Sequence, residues 1–233
     1  MGWCLGLRKS AGDLHRDVVC RIFEYNAGMT ANHNILILSP HIDDEVLGCF
    51  SFLGPDCFVL YFGAEDRPSV SRIERIQELE RAADMLEFQW EVLDNPVNNY
   101  RVQDLIPIIE HTINRLNPLT VLMPEPSYNQ DHRAVYDAGL VATRPHDSNW
   151  FVPNVLIFEQ PDSVLWFHST PSEPTYFREI QIERKLAAYA LYASQVRGHR
   201  SPETLRAQAC LRGAQICKPY AEAFRVKRIV DSR

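Results

Sequence analysis

Residues 39–45 read Ser39-Pro40-His41-Ile42-Asp43-Asp44-Glu45, directly after the apolar run Ile35-Leu36-Ile37-Leu38. One imidazole and three carboxylates therefore fall within five residues, where a buried strand should end. Packed together, such groups repel and desolvate one another, so a fold that keeps them needs a compensating charge. A divalent cation supplies it. Asn129-Gln130-Asp131-His132 repeats the pattern, reached from the apolar run Thr120-Val121-Leu122-Met123 through Pro124-Glu125-Pro126-Ser127-Tyr128. Zinc takes His and carboxylate ligands, and a catalytic zinc keeps a position open for water. His41, Asp44 and His132 make such a three-ligand set, which also suits iron(II). Asp43 is then left to act on the water.

These residues need elements to position them. Strands are expected at Asn34–Leu38, Cys57–Phe62, Trp90–Leu93, Thr120–Met123 and Val155–Phe158. Helices are expected at Glu45–Leu53, Ser71–Leu86, Val102–Leu116, Asp131–Thr143, Ile182–Ser194 and Pro202–Gln215. In the second of these, Ile73, Ile76, Leu79, Ala83 and Leu86 form an apolar stripe. The alternation predicts an α/β fold with a single doubly wound, mostly parallel, Rossmann-like sheet. If the first and fourth strands are neighbours, both acidic loops meet at the switch point, at the carboxyl ends of the strands. Pro161–Pro174, with Trp166, Phe167 and His168, is read as strands or a rim over the site.

The 233 residues suffice for one substantial core. The net charge of −6 comes with no basic stripe, which argues against nucleic acid as a partner. No apolar run is long enough to span a bilayer. Six cysteines form no CxxC pair, and several sit in apolar surroundings. That pattern fits a reducing compartment, and the cytoplasm is the expected location. Residues 1–30 read as an N-terminal extension and 31–233 as the functional domain.

Each candidate also has a plainer reading. An acidic first helical turn explains one carboxylate of Asp43-Asp44-Glu45, but not all three beside a histidine. His132 by itself could be a surface histidine at a helix start. Asp131 fits a helix N-cap as well as an acceptor orienting a ligand histidine. Glu45 reads as a brace through hydrogen bonds. Arg75 and Glu78 stand one helical turn apart and can simply form an ion pair. Arg197-Gly198-His199-Arg200 reads as a surface turn or a substrate-binding loop. Trp166, Phe167 and His168 could pack in a core or stack on a sugar, and Lys185 reads as a solvated helix residue.

With both motifs in view, the chain resembles the PIG-L/LmbE family of zinc-dependent N-deacetylases. Pro40-His41-Ile42-Asp43-Asp44-Glu45 matches the family's Pro/Ala-His-Pro-Asp-Asp-Glu except at Ile42. Asn129-Gln130-Asp131-His132 matches its His-x-Asp-His except at Asn129. Weaker echoes are Arg75-Ile76-Gln77-Glu78, Lys185 with Tyr192-Ala193-Ser194-Gln195, and Tyr220-Ala221-Glu222-Ala223-Phe224. The resemblance implies that His41, Asp44 and His132 hold the zinc and that Asp43 is the general base, with Asp131 and Asn129 in the catalytic set. It implies that Arg75 faces the polar end of a substrate; Tyr128 and His199 are taken from their place in the sequence as further candidate substrate contacts. The expected reaction removes the N-acetyl group of an N-acetylglucosamine-type amino sugar or glycoconjugate. The alternatives are hydrolysis of another amide or ester, and a non-catalytic binding member of the fold. Asn129 stands where the family has a histidine; an amide can donate to an oxyanion but cannot deliver a proton.

Overall fold

The computed structural model describes residues 33–166 and 173–231. The expected extension at 1–30, and Phe167 and His168, lie outside the described residues. Strands β1 (Ile35–Ser39), β2 (Cys57–Tyr61), β3 (Gln89–Val92), β4 (Thr120–Pro124) and β5 (Asn154–Phe158) are parallel, in the order 3-2-1-4-5. Strands β6 (Tyr176–Glu179) and β7 (Ala221–Arg228) complete one seven-stranded sheet, with β7 antiparallel to both β5 and β6. β1 pairs with β4 through Ile35↔Thr120 to Ile37↔Leu122, so the two acidic loops leave neighbouring strands at the same end of the sheet. This is the switch point expected from the sequence.

Strand alternation divides the core. Leu36, Leu38, Phe58 and Val121 face α3 (Val102–Leu116) and α4 (Gln130–Ala142). Ile37, Val59 and Leu122 face the other layer. That layer includes α1 (Asp44–Cys49), α2 (Arg72–Leu86), α6 (Ile182–Tyr189) and α7 (Pro202–Ala214). Between β5 and β6 lies the short α5 (Pro161–Leu165). α1 packs close to the end of β5 because Gly48 has no side chain. A Cβ there would stand 2.4 Å from the Phe158 ring and 2.7 Å from the Glu159 carbonyl.

Four sequence expectations are corrected. The Pro161–Pro174 segment begins as the helix α5, which Pro161 starts and Gln160 caps, and not as a strand. The first helix ends at Cys49 and continues as a 3-10 turn, Phe50–Phe52. α2 turns a different stripe inward: Ile73 is 71% exposed, whereas Arg75 and Glu78 are buried beside Leu79 and Ala82. Lys185 is buried, not solvated. Its Nζ donates to Leu47 O at 2.8 Å and Glu222 Oε1 at 2.7 Å. Glu222 in turn accepts from the backbone N–H groups of Phe50 and Ser51. The pair fixes the C-terminal end of α1 to β7, because Lys185 bonds both Leu47 O and Glu222, whose two oxygens also take the amides of Phe50 and Ser51.

Breaking a buried pair from one side leaves an uncompensated charge. Lys185→Ala is expected to cost about 3–5 kcal/mol in urea unfolding, the usual scale for such a loss. The double variant Lys185→Met/Glu222→Met should be less destabilised than the sum of the two single variants.

Candidate active site

The β1–α1 loop supplies the first half of the site. His41 N donates to Asp44 Oδ2 at 2.9 Å, and Asp43 N donates to Glu45 Oε2 at 3.1 Å. The loop thus folds its own carboxylates back onto its own amides. Asp43 takes φ 118°, a left-handed conformation that L side chains avoid and that costs of order 1–3 kcal/mol. The α4 start supplies the second half. Asn129 caps the helix, its Oδ1 accepting from Asp131 N at 2.9 Å. The cap leaves the Asn129 amide nitrogen as the group able to donate elsewhere. His132, one turn in, is thereby fixed against the first loop.

The donor atoms of His41, Asp44 and His132 converge, all lying within 4.8 Å of one another. Asp44 Oδ2 is 3.4 Å from His41 Nδ1 and 3.3 Å from His132 Nε2. Two ligands at zinc distances on a tetrahedral centre stand about 3.4 Å apart. The spacing therefore fits a metal ion, and two imidazoles with one carboxylate form a donor set that zinc accepts.

Asp131 orients this set. Its Oδ2 lies 3.0 Å from His41 Nε2, and only the imidazole N–H can donate to a carboxylate there. His41 Nδ1 is then the ring atom left to ligate. Asp131 also accepts from the backbone N–H of Asn98 at 2.6 Å and of Tyr100 at 3.3 Å. Asn98 reaches this position with φ 69°, which asparagine tolerates better than most residues. The Tyr100 hydroxyl donates to Pro40 O at 2.9 Å, holding the loop from the same side.

The charges perturb one another. Burial would drive the proton off His41, but Asp131 and Asp44 outweigh it and push the imidazole up to about 10. Burial would raise Asp44, yet His132 and His41 hold it well below the usual carboxylate range. Asp43 is raised to about 6, mainly by burial and further by Asp44, against the pull of Arg200 and Arg75. Burial also lifts Glu45 to about 7, although it accepts from the Tyr192 hydroxyl.

Other candidates fall at different distances from this centre. Arg75 is 1% exposed and donates to Glu78, to Ser194 Oγ and to Ile42 O, with Asp43 Oδ1 at 3.8 Å. It lies under the loop as part of its foundation. Tyr128 is 64% exposed on the approach to α4. His199 stacks obliquely on Trp166, ring centroids 5.4 Å apart, and Trp166 is half exposed. Residues that the sequence left unassigned complete the arrangement. Asn98 and Tyr100 act largely through backbone N–H groups, which leave no side-chain pattern to find. Arg200, read as part of a surface turn or a substrate-binding loop, reaches Asp43 Oδ2 at 3.1 Å.

No protein-family model matches the chain, and no curated protein does. Solved structures share the fold. A conserved protein from Thermus thermophilus is 21% identical with a TM-score of 0.70, covering 86% of this chain and 97% of that one. The N,N'-diacetylchitobiose deacetylase from Pyrococcus horikoshii, complexed with its inhibitor, is 18% identical with a TM-score of 0.67; coverage is 95% and 94%. The 4-carboxy-2-hydroxymuconate hydratase from Pseudomonas putida is 20% identical with a TM-score of 0.63; coverage is 85% and 98%.

The geometry makes a prediction about metal uptake. His41→Ala and His132→Ala should lose about one bound metal per chain by elemental analysis. Asp131→Asn, which keeps both ligands, should instead weaken metal affinity by roughly 10–100-fold, the usual effect of losing such an orienting acceptor. Unchanged affinity in Asp131→Asn would remove its role in holding His41.

Proposed function

We propose that this protein is a metal-dependent hydrolase that removes the N-acetyl group from an N-acetylglucosamine-type amino sugar or its conjugate. The observation that carries the reading is the joint one at β1 and β4. Three donor groups at metal-ligand spacing lie beside a fourth group, the buried carboxylate of Asp43, that is not needed as a ligand. A deacetylase among the similar structures supports it, as does the resemblance of both motifs to the family, apart from Ile42 and Asn129.

His41, Asp44 and His132 would hold the ion, with zinc the first choice and iron(II) compatible. A bound divalent ion would supply Lewis-acid polarisation and a water of lowered pKa. Asp43 takes a proton from the attacking water and returns it to the departing amine, since Asn129 cannot deliver one. Water adds to the acyl carbon, the C–N bond breaks, and acetate and a free amine result. The Asn129 amide nitrogen donates to the developing oxyanion while its oxygen keeps the helix cap. Tyr128 and His199 are the candidate contacts for the sugar or its substituent. The reading places the chain in a reducing compartment such as the cytoplasm, supported by free thiols at Cys49, Cys57, Cys210 and Cys217. Among the described residues no helix is long and apolar enough to cross a membrane.

A second reading comes from the hydratase that shares the fold. A carboxylate beside an ion can also move a proton at carbon. Product analysis separates the two: deacetylation releases acetate stoichiometrically with a new primary amine, and hydration releases nothing.

Two outcomes test the base. Asp43→Asn should retain metal while kcat falls by at least ~10²-fold, the scale of a lost general base. Joint loss of metal and turnover would make Asp43 structural. Because Asp43 must be ionised and burial raises it to about 6, kcat/KM should fall about tenfold per pH unit below that value and level off above it. A kcat/KM that does not fall toward low pH would contradict Asp43 as the base. Asn129→Ala should lower kcat more than it raises KM, by ~10²–10³-fold for a lost oxyanion donor. Asn129→Asp should be worse. Parental rates in both would reduce Asn129 to its capping role.

A further inference from the structure

The turn at 197–200 carries a side chain that belongs to the centre of the molecule. Arg200 is drawn inward, its side chain 13% exposed, and Nη1 donates to Asp43 Oδ2 at 3.1 Å. Its other terminal nitrogen lies 3.5 Å from Gln195 Oε1, an oxygen that also accepts from Arg197 Nη2 at 3.2 Å. Gln195 is buried and anchored in turn. Its Nε2 donates to Glu65 Oε2 at 3.1 Å and to Ser194 Oγ at 3.0 Å, and its carbonyl accepts from the Tyr189 hydroxyl. Ser194 N and Oγ each donate to Glu78 at 2.8 Å. A continuous relay thus runs from α2, through Ser194 and Gln195, to the guanidinium on Asp43.

The other oxygen of Asp43 faces Arg75 at 3.8 Å. The carboxylate is bracketed by two cations, and the Arg200 contact is the shorter. The loop's amides at His41 and Asp43 donate to Asp44 and Glu45, not to this carboxylate. Asp43 sits at φ 118°, where its neighbours Asp44 and Glu45 repel it and its own N–H is spent on Glu45. Something outside the loop must aim it. Arg75 cannot do so by hydrogen bonding, because it stands 3.8 Å from Asp43 while its terminal nitrogens donate to Glu78, Ser194 and Ile42 O. A planar guanidinium that grips Gln195 at one nitrogen and Asp43 at another can, since its fork has fixed geometry.

We infer that Arg200 is the positioning residue for Asp43, and that Gln195 is the residue that seats Arg200. The inference rests on the reading of Asp43 as the base. It assigns work to a turn that is close in sequence to no metal ligand. A base misplaced by about 1 Å typically costs on the order of 10²-fold in rate.

The test compares kinetics and structure in the metal-loaded full chain. Arg200→Ala should lower kcat by roughly 10–100-fold at near-parental KM, metal content and Tm. Gln195→Ala should move kcat in the same direction by less. Millimolar guanidinium chloride should restore part of the kcat of Arg200→Ala and none of that of Asp43→Asn. Crystal structures of parent and Arg200→Ala should show the Asp43 carboxylate turned to a different rotamer. A raised KM at parental kcat would make Arg200 a substrate contact and overturn the inference. Metal loss in Arg200→Ala, or an unmoved Asp43 carboxylate, would overturn it too. Should the parent release no acetate from any acylated amine, the activity reading falls, and the paired crystal structures still decide whether Arg200 aims Asp43.

Discussion

Three consecutive carboxylates, Asp43, Asp44 and Glu45, are held almost without solvent at the end of β1, and the surrounding structure converges on them. Part of the compensation is local: the loop's own amides at His41 and Asp43 donate back to Asp44 and Glu45. The rest is brought from far along the chain. His132 comes from α4, Tyr192 from the turn after α6, Arg75 from α2 and Arg200 from the turn before α7. Each brings a nitrogen or a hydroxyl to one carboxylate oxygen. A cluster of this kind adds nothing to stability that apolar residues could not provide more simply. Its retention, with Asp43 held in a strained conformation, points to chemistry.

The sheet order serves this cluster. Because β1 and β4 are parallel neighbours, their loops open at the same end, and a ligand set can be shared between residues ninety positions apart. Asp131 shows the arrangement at its most economical. One carboxylate takes the Nε2 proton of His41 and the N–H groups of Asn98 and Tyr100, so the β3–α3 loop and the α4 start are fixed to the β1 loop together. On the far side of α1, Lys185 and Glu222 tie the helix end to β7. The short helix is therefore clamped at both ends, and its acidic first turn cannot relax by fraying.

Much of this was legible in the sequence, for physical reasons. Four of the five parallel strands, β1, β2, β4 and β5, are largely apolar runs, the pattern that burial on both faces imposes, whereas β3, at the sheet edge, is only half-buried. The spacing His41, Asp44, then His132 at a second strand end pointed to three side chains whose donor atoms the structure brings within 4.8 Å of one another, a cluster that could hold a metal. The losses have a cause in common. β7 hid behind the charge of Glu222, Lys185 looked solvated, and Arg200 looked like a turn residue. In each, a charged side chain is buried by a partner between 37 and 157 positions away. Local pattern carries no trace of such a partner. Ile73 failed in the opposite sense: it completed an apolar stripe on α2 while the helix turned Arg75 and Glu78 to the interior.

The claim on which the account depends is that the β1 and β4 loops together bind one ion. Anomalous diffraction at the zinc edge from crystals of the zinc-loaded protein tests it most directly. The account predicts a single strong peak about 2.0–2.2 Å from His41 Nδ1, an Asp44 carboxylate oxygen and His132 Nε2, with Asp43 outside bonding distance. No peak among these residues at full zinc occupancy elsewhere, or a peak ligated by Asp43 in place of Asp44, would contradict it.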